Sequence, residues 1–496
     1  MAEFYLRAAH ALQDILAHRG SIKAIAAQTA AGADARAHGN ARRVLALVVN
    51  ALAYQEALTH VLETVGIAHK EAKWFGPKSP LNRGSAGAPA ISQCVLLLLT
   101  HDLLFERRGI QAARAWPPRE RLERHKSQLH AELVRLQLRR RCTKAEDLRA
   151  GAAERALAER IPRWVRVNTL RMSAAAAEAA FAALGLVRVN SATLANPHEY
   201  ACSTHVAHVY AFHPRASAKL AASDLYRDGA IMFQDLASCM PAAVLAAADP
   251  PACALDATAA PGNKTSHLGA LMGGSGTLYA FERAPPRHKT LVRMLQRAGC
   301  LHPHGNVEAL QQDFLAADPA DFAHVTHLLL DPSCSGSGIV NRLDYLTQAD
   351  NEQDNLEDVV PGEVRVAERL SALAALQTRM IVHAMEFPAL RRFTYSTCSV
   401  HAAEDERVVA AALDSPVARA RGWRLAPRTE VLPTWPLRGR ADEAPAAALA
   451  DCMVRCMPGG AVECAPGAVH TEASIGFFVC CFVREDARPA KRARRS

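Results

Sequence analysis

No apolar run in the sequence approaches the roughly 20 residues of a membrane-spanning helix. Cys94-Val95-Leu96-Leu97-Leu98-Leu99 is too short and reads as part of a core helix. The start, Met1-Ala2-Glu3-Phe4-Tyr5-Leu6-Arg7, lacks the apolar core of a signal peptide. The thirteen cysteines are odd in number and scattered, so a reduced intracellular protein is expected rather than a disulfide framework. Cys452, Cys456 and Cys464 lack zinc-ligand spacing and a companion set of histidines, so no metal is expected. No internal repeat is evident. Aromatic residues make up only 5% while alanine abounds, which we read as compositional bias favouring helix and not as function.

What is there is enough apolar sequence, 50% of 496 residues, for two or three domains with a sizeable core. The net charge is +9, and residues 101–171 alone carry 18 Lys and Arg against 9 Asp and Glu. A basic region of this size suits a polyanion partner, although a solvated helix face has the same composition. Residues 1–155 read as a helical domain. Apolar residues recur at three- and four-residue steps, as in Val44, Leu47, Val48, Ala51 and Leu52, and a Gly-, Pro- and Ser-rich loop covers 73–89. One or two charged helices follow over 119–149. Residues 156–230 read as a small α/β unit, with a strand over 164–171, a helix over 174–184 and a short strand over 186–189. Across 231–485, strand-like segments (253–258, 277–282, 306–310, 326–331, 392–397 and 477–483) alternate with helices such as 287–298, 364–386 and 403–413. That order predicts a parallel, doubly wound α/β sheet. Residues 437–469 read as a loop, 351–358 as an acidic insertion and 486–496 as a basic tail.

Ligands of such a sheet bind just beyond the carboxyl ends of its strands. The first end, Leu255-Asp256-Ala257-Thr258-Ala259-Ala260-Pro261-Gly262-Asn263-Lys264-Thr265-Ser266, has small residues and a glycine that let a ligand approach a helix N-terminus. Glu282 ends the next strand, 20 residues after Gly262, where this fold puts a ribose-binding carboxylate. Asp313 and Asp331 follow the two strands after that. Gly-x-Gly-x-x-Gly is absent, and Asn263 interrupts the Gly-Lys pair of a P-loop. The loop therefore suits an adenosyl ligand without a polyphosphate, such as S-adenosylmethionine. Two strand-end cysteines remain, Cys334 in Asp331-Pro332-Ser333-Cys334-Ser335-Gly336-Ser337-Gly338 and Cys398 in Tyr395-Ser396-Thr397-Cys398-Ser399, 64 residues apart. Most buried cysteines are small hydrophobes. Two of them, each flanked by serine at a strand end, are poorly explained that way.

These stretches, together with Arg166-Val167-Asn168-Thr169-Leu170-Arg171, Gln234-Asp235-Leu236-Ala237-Ser238 and Gly476-Phe477-Phe478-Val479, resemble the Sun-domain RNA (cytosine-5) methyltransferases, the NSUN and RsmB-type family. The resemblance runs over about 160–485 in the family's order. Asn263 and the doubled Ser-Gly after Cys334 look most like the branch that methylates large-subunit ribosomal RNA, which also carries a helical N-terminal region. Thr258 departs from the family, which often has Cys there. The resemblance implies a Rossmann-like S-adenosylmethionine-dependent methyltransferase sheet over 231–485 and an RNA-recognition role for 156–230. It implies that Thr258, Ala259, Ala260, Pro261, Gly262, Asn263 and Lys264 wrap the cofactor's methionine part, that Glu282 holds the ribose, that Asp313 faces the adenine amino group and that Arg287 lies at the cofactor. Asp331 would serve both cofactor and base pockets, Cys398 would be the nucleophile and Cys334 would help release the product. RNA, as ribosomal RNA or pre-ribosome, is the implied partner. A monomer working in the nucleolus is expected, with Lys491-Arg492-Ala493-Arg494-Arg495 as an import signal.

The chemistry explains the residue types. Carbon 5 of cytosine is too poor a nucleophile to take a methyl group until a thiolate adds to carbon 6. An acid at ring nitrogen 3 stabilises the charge that develops, and a base must later remove the carbon 5 proton. The cytosine must be flipped or single-stranded to be reached. The alternatives are a transfer-RNA cytosine-5 methyltransferase, an RNA-binding ribosome-assembly factor that uses the fold as a scaffold, and an ATPase, against which Asn263 argues.

Overall fold

The structure, a computed structural model, describes residues 2–17, 22, 25, 37–84, 89–190, 194–247, 251–340, 361–460 and 472–484. The acidic insertion at 351–358, Cys464 and the basic tail lie outside them. One compact unit ends at Ala156 and a second begins at Leu157. Among the described residues no single helix is long and apolar enough to cross a membrane.

The first unit is helical. Its centre is the helix Ile91–Phe105, buried on nearly every side. Ala2–Leu16, Ala37–Ala53 and Gln55–Val65 pack against it. The polar residues of this helix are satisfied inside the unit. Thr100 Oγ1 donates to the Leu96 carbonyl at 2.7 Å, and Tyr5 donates to Asp102, whose other oxygen lies 3.0 Å from His101 Nδ1. The loop expected over 73–89 is partly helical: Ala72–Phe75 is one turn of helix and Pro80–Asn82 a 3-10 turn. Ser79 caps the latter, accepting from Leu81 N at 3.2 Å, and Pro80 at the first position starts a turn where the composition suggested only a break. The basic excess is partly spent inside the unit. Arg119 meets Glu123 at 2.8 Å, Arg135 and Arg139 share Glu132 at 3.1 and 2.6 Å, and Arg140 pairs with Glu56.

The second unit holds two sheets. The smaller contains β1 (Arg163–Val167), β2 (Val187–Arg188), β3 (Glu199–Cys202), β4 (Val209–Phe212) and β5 (Ile231–Phe233), in the order β2-β3-β4-β1-β5. Phe181, from the helix Ala174–Ala183, packs edge-on against Tyr200, Tyr210 and Phe212 at 5.3, 5.6 and 5.0 Å. β5 pairs with β1, so this strand, which falls within residues 231–485, belongs to the smaller sheet.

The larger sheet contains β6 (Cys253–Asp256), β7 (Thr277–Phe281), β8 (Val307–Leu310), β9 (His327–Leu330), β10 (Arg392–Thr397), β11 (Trp423–Leu425), β12 (Val454–Cys456) and β13 (Phe477–Arg484). Its order is β11-β13-β10-β9-β6-β7-β8. From β10 to β8 the pairings are parallel, as predicted. The expectation of an all-parallel sheet fails at the other side, because β13 runs antiparallel to β10, β11 and β12. β13 lies between β10 and β11 and is buried on both faces, which is why it is apolar at every position from Phe477 to Val483. The loop expected over 437–469 contains the helix Ala447–Asp451 and strand β12. Strand periodicity is invisible in three residues, and β12 is held through Arg455, whose guanidinium forks onto the buried Glu406 at 2.6 and 2.6 Å.

Alternate strand residues feed opposite cores. Leu328 and Leu330 pack with Ile381, Met385 and Val408 on one face, and Leu329 packs with Leu268, Leu291 and Leu295 on the other. This two-sided burial fixes the register and so places the carboxyl ends of the parallel strands on one edge.

Candidate active site

Five consecutive parallel strands deliver the functional residues to that edge. Beyond β6 the chain turns through Thr258–Gly262 into the helix Asn263–Leu271. Asp256, at the end of β6, is buried. It accepts from Thr265 Oγ1 at 2.7 Å and from the Thr258 amide at 3.2 Å, which ties the loop down at both sides. Burial pushes its carboxyl up to about 6. Gly262 has φ +110, and a Cβ there would lie 3.0 Å from Met294 Cγ, so a side chain would be strained by the conformation and would crowd Met294. Among the described residues no side chain caps this helix, which leaves its first amides available to a carboxylate.

At the end of β7, the Glu282 side chain accepts from the Ala284 amide at 2.8 Å and meets Arg287 Nε at 3.3 Å. Arg287 Nη2 also donates to the Ala260 carbonyl at 3.1 Å, so Arg287 joins the first two loops. Asp313, beyond β8, caps the turn Phe314–Ala316 through Leu315 N at 3.1 Å and lies 3.4 Å from Arg283.

Asp331 and the two cysteines form the densest cluster. Asp331 Oδ2 lies 2.8 Å from Lys264 Nζ, its Oδ1 accepts from Ser396 Oγ at 2.6 Å, and its amide donates to Thr258 Oγ1 at 3.1 Å. Lys264, expected beside a methionine moiety, points its ammonium at Asp331. It also donates to Ser238 Oγ at 3.1 Å and sits 5.2 Å from the centre of the Phe477 ring. Burial disfavours the Lys264 charge, but Asp331, Cys398 and Asp256 outweigh it and hold the ammonium above its ordinary value.

Cys334 Sγ and Cys398 Sγ lie 3.1 Å apart, and both are free thiols. Their pairing drives the two thiols in opposite directions. Cys398 is held below the usual thiol range, first by the hydrogen bond from Cys334 and then by Lys264, against burial and the Asp331 charge. Cys334 is pushed far up, by that same bond and by burial. When one of the pair ionises, the charge therefore goes to Cys398 and the proton stays on Cys334.

The loop that carries Cys334 is fixed from outside. Gly338 N donates to the Cys398 carbonyl at 2.9 Å, and Gly476 N donates to the Gly338 carbonyl at 2.8 Å. A Cβ on Gly338 would come within 2.2 Å of the Gly476 oxygen and 2.5 Å of its carbonyl carbon, both backbone. Gly338→Ala is expected to destabilise the protein by about 3 kcal/mol, seen as a lower urea midpoint at unchanged slope.

Sequence reasoning missed several participants. Ser396 is legible in hindsight, since it faces Asp331 across the β9–β10 pair. Ser238 and Thr265 sit inside quoted motifs but carried no chemical signal of their own. Glu404, Gln377 and Arg455 had none, because only the fold brings residues so far apart in sequence together. Among the described residues no three or more His, Cys, Asp or Glu side chains are grouped to hold a metal ion.

A family model described as 16S rRNA methyltransferase RsmB/F matches residues 242–428. Another, described as NOL1/NOP2/Sun domain family member 5, N-terminal domain, matches residues 42–149. The 25S rRNA (cytosine-C(5))-methyltransferase rcm1 of Schizosaccharomyces pombe is 34% identical over 96% of this chain and 90% of its own length. This chain belongs to the RsmB/F- and NSUN5-type rRNA (cytosine-C5)-methyltransferases. A 28S rRNA (cytosine-C(5))-methyltransferase of Mus musculus is 31% identical over 98% of this chain and 92% of its own. Among solved structures, PH0851 shares the fold, with a TM-score of 0.56 at 18% identity over 97% of this chain and 98% of that one. This rRNA methyltransferase family thus spans both units of the chain, the helical one included.

Proposed function

We propose that this enzyme methylates carbon 5 of a cytosine in large-subunit ribosomal RNA, with S-adenosylmethionine as methyl donor and a transient bond between Cys398 and the base. The observation that carries the reading is the thiol pair at 3.1 Å beside the Lys264–Asp331 ion pair.

The first loops fit the cofactor. The uncapped helix start behind Gly262 suits a carboxylate, and Glu282 with Arg287 suits ribose hydroxyls. Thr258, Ala259, Ala260, Pro261, Asn263 and Lys264 would line the methionine side, Arg287 would steady the loop and Asp313 would face the base of the cofactor. S-adenosylmethionine, when bound, supplies an electrophilic methyl group.

The side chains then divide the work. The Cys398 thiolate adds to carbon 6 of cytosine, and the Lys264–Asp331 pair supplies the proton that neutralises nitrogen 3. Carbon 5, now nucleophilic, takes the methyl group and is left holding a proton as well. Once Cys398 is a thioether, its negative charge is gone, and with it the main cause of the raised Cys334 pKa. Cys334 can then give its own proton to water and take the one on carbon 5. Nitrogen 3 returns its proton to the Lys264–Asp331 pair as the ring double bond re-forms and Cys398 leaves as a thiolate. Adduct formation thus switches Cys334 from acid to base.

Lys264→Met is expected to lower single-turnover methylation about 100-fold or more with little change in RNA affinity. Equal loss of RNA binding would instead make Lys264 a binding residue. The substrate is tested by bisulfite sequencing of total RNA from cells with and without the gene. One protected cytosine in large-subunit rRNA should convert only without it. A change confined to transfer RNA would overturn the rRNA assignment. On this reading the enzyme works in the nucleolus, where ribosomal RNA is made.

A further inference from the structure

We propose that Glu404 is a positioning residue that sets Cys334 against Cys398 and thereby controls release of the methylated RNA; this rests on the roles proposed above for the two thiols.

Both peptide groups that flank Cys334 are held by one buried clamp. Glu404 Oε1 accepts from the Ser335 amide at 2.8 Å. Gln377 Nε2 donates to that same oxygen at 3.1 Å and to the Ser333 carbonyl at 3.0 Å. Gln377, from the helix Pro361–Met385, and Glu404, after β10, are each 0% exposed. The same short segment grips the strand that carries the nucleophile. The Glu404 carbonyl accepts from the Tyr395 hydroxyl at 2.6 Å, and Asp405 Oδ1 accepts from Thr397 Oγ1 at 2.6 Å. One stretch of chain is therefore bonded to the approaches of both cysteines, and their spacing cannot change without breaking one of these bonds.

The arrangement is costly, which argues against a merely structural role. Glu404, Asp405 and Glu406 are all 0% exposed. The cation against them is the buried Arg455, forked on Glu406 and 2.9 Å from Asp405. Glu404 Oε2 meets no donor among the described residues. A buried carboxylate with an unmet oxygen is expensive, and an apolar residue of similar size would fill the space at lower cost. What it would not supply is an acceptor for the amide next to Cys334.

The test compares Glu404→Gln, which keeps an acceptor, with Glu404→Met, which removes it, and adds Gln377→Met, which frees the Ser333 carbonyl. Each full-length protein is incubated with S-adenosylmethionine and an rRNA fragment holding the target cytosine. Covalent protein–RNA complexes are then counted on denaturing gels over time, with Cys334→Ala in parallel. Glu404→Met and Gln377→Met should accumulate complexes with release slowed by roughly 10- to 100-fold, while complexes form at near wild-type rate. Glu404→Gln should release nearly as the wild type. If Glu404→Met does not fold, judged by circular dichroism, Gln377→Met decides. Loss of adduct formation and turnover in equal measure, with no accumulated complex, would overturn the proposal. If Cys334→Ala itself traps nothing, the role given to Cys334 fails; if it traps complexes and both Glu404→Met and Gln377→Met do not, only the role of Glu404 fails.

Discussion

Replacing Cys398 with alanine is expected to abolish methyl transfer, by about ten-thousand-fold or more, and to leave S-adenosylmethionine binding intact. The neighbouring thiol cannot stand in. Cys334 lies 3.1 Å away, but in the variant burial and the Asp331 charge still raise its pKa. Without Cys398 the hydrogen bond between the thiols is lost, yet the Cys334 loop stays pinned through Ser335, so its sulfur does not move into the vacated place. Single-turnover methylation of an rRNA fragment measures the loss, and calorimetric titration with the cofactor checks the fold. Activity within tenfold of wild type would remove Cys398 from the chemistry.

The second large effect is of the opposite kind. Cys334→Ala should form the covalent complex and fail to resolve it, so that protein and RNA remain joined on a denaturing gel after a single round. A pH effect should accompany this. The hydrogen bond from Cys334 is the leading cause of the lowered Cys398 pKa, so its loss raises that pKa. At a given pH below it, less thiolate is present, and the acidic limb of the adduct-forming rate should move to higher pH. An unmoved limb would mean that the remaining lowering influences, Lys264 and a backbone hydrogen bond, dominate.

The parallel core of the larger sheet was legible in the sequence because short strand-like segments mostly alternate with helices from β6 to β10, and each ends in or is followed closely by an acid or a cysteine. The site residues were legible for a related reason, since a strand end is where the apolar pattern stops and a polar residue carries information. What could not be read depends on pairing over long separations. The antiparallel placement of β13 rests on contacts between Tyr395 and Cys480 and between Leu425 and Phe482, and no local pattern encodes them. β12 is too short for periodicity, and its anchor, Arg455, is one arginine among many. Lys264 looked like a loop residue beside a glycine. Only the three-dimensional path brings its ammonium to Asp331, on a strand that follows some sixty residues later.

The interior position of β13 bears on how the enzyme is made. A chain emerging from the ribosome delivers Cys334 and Cys398 long before Gly476 and the strand Phe477–Arg484. Until those residues arrive, β10 is an open edge, Lys264 lacks the Phe477 ring, and the Cys334 loop lacks its tie to Gly476. The Cys334 loop therefore gains its tie to Gly476 only once this late strand has been synthesised.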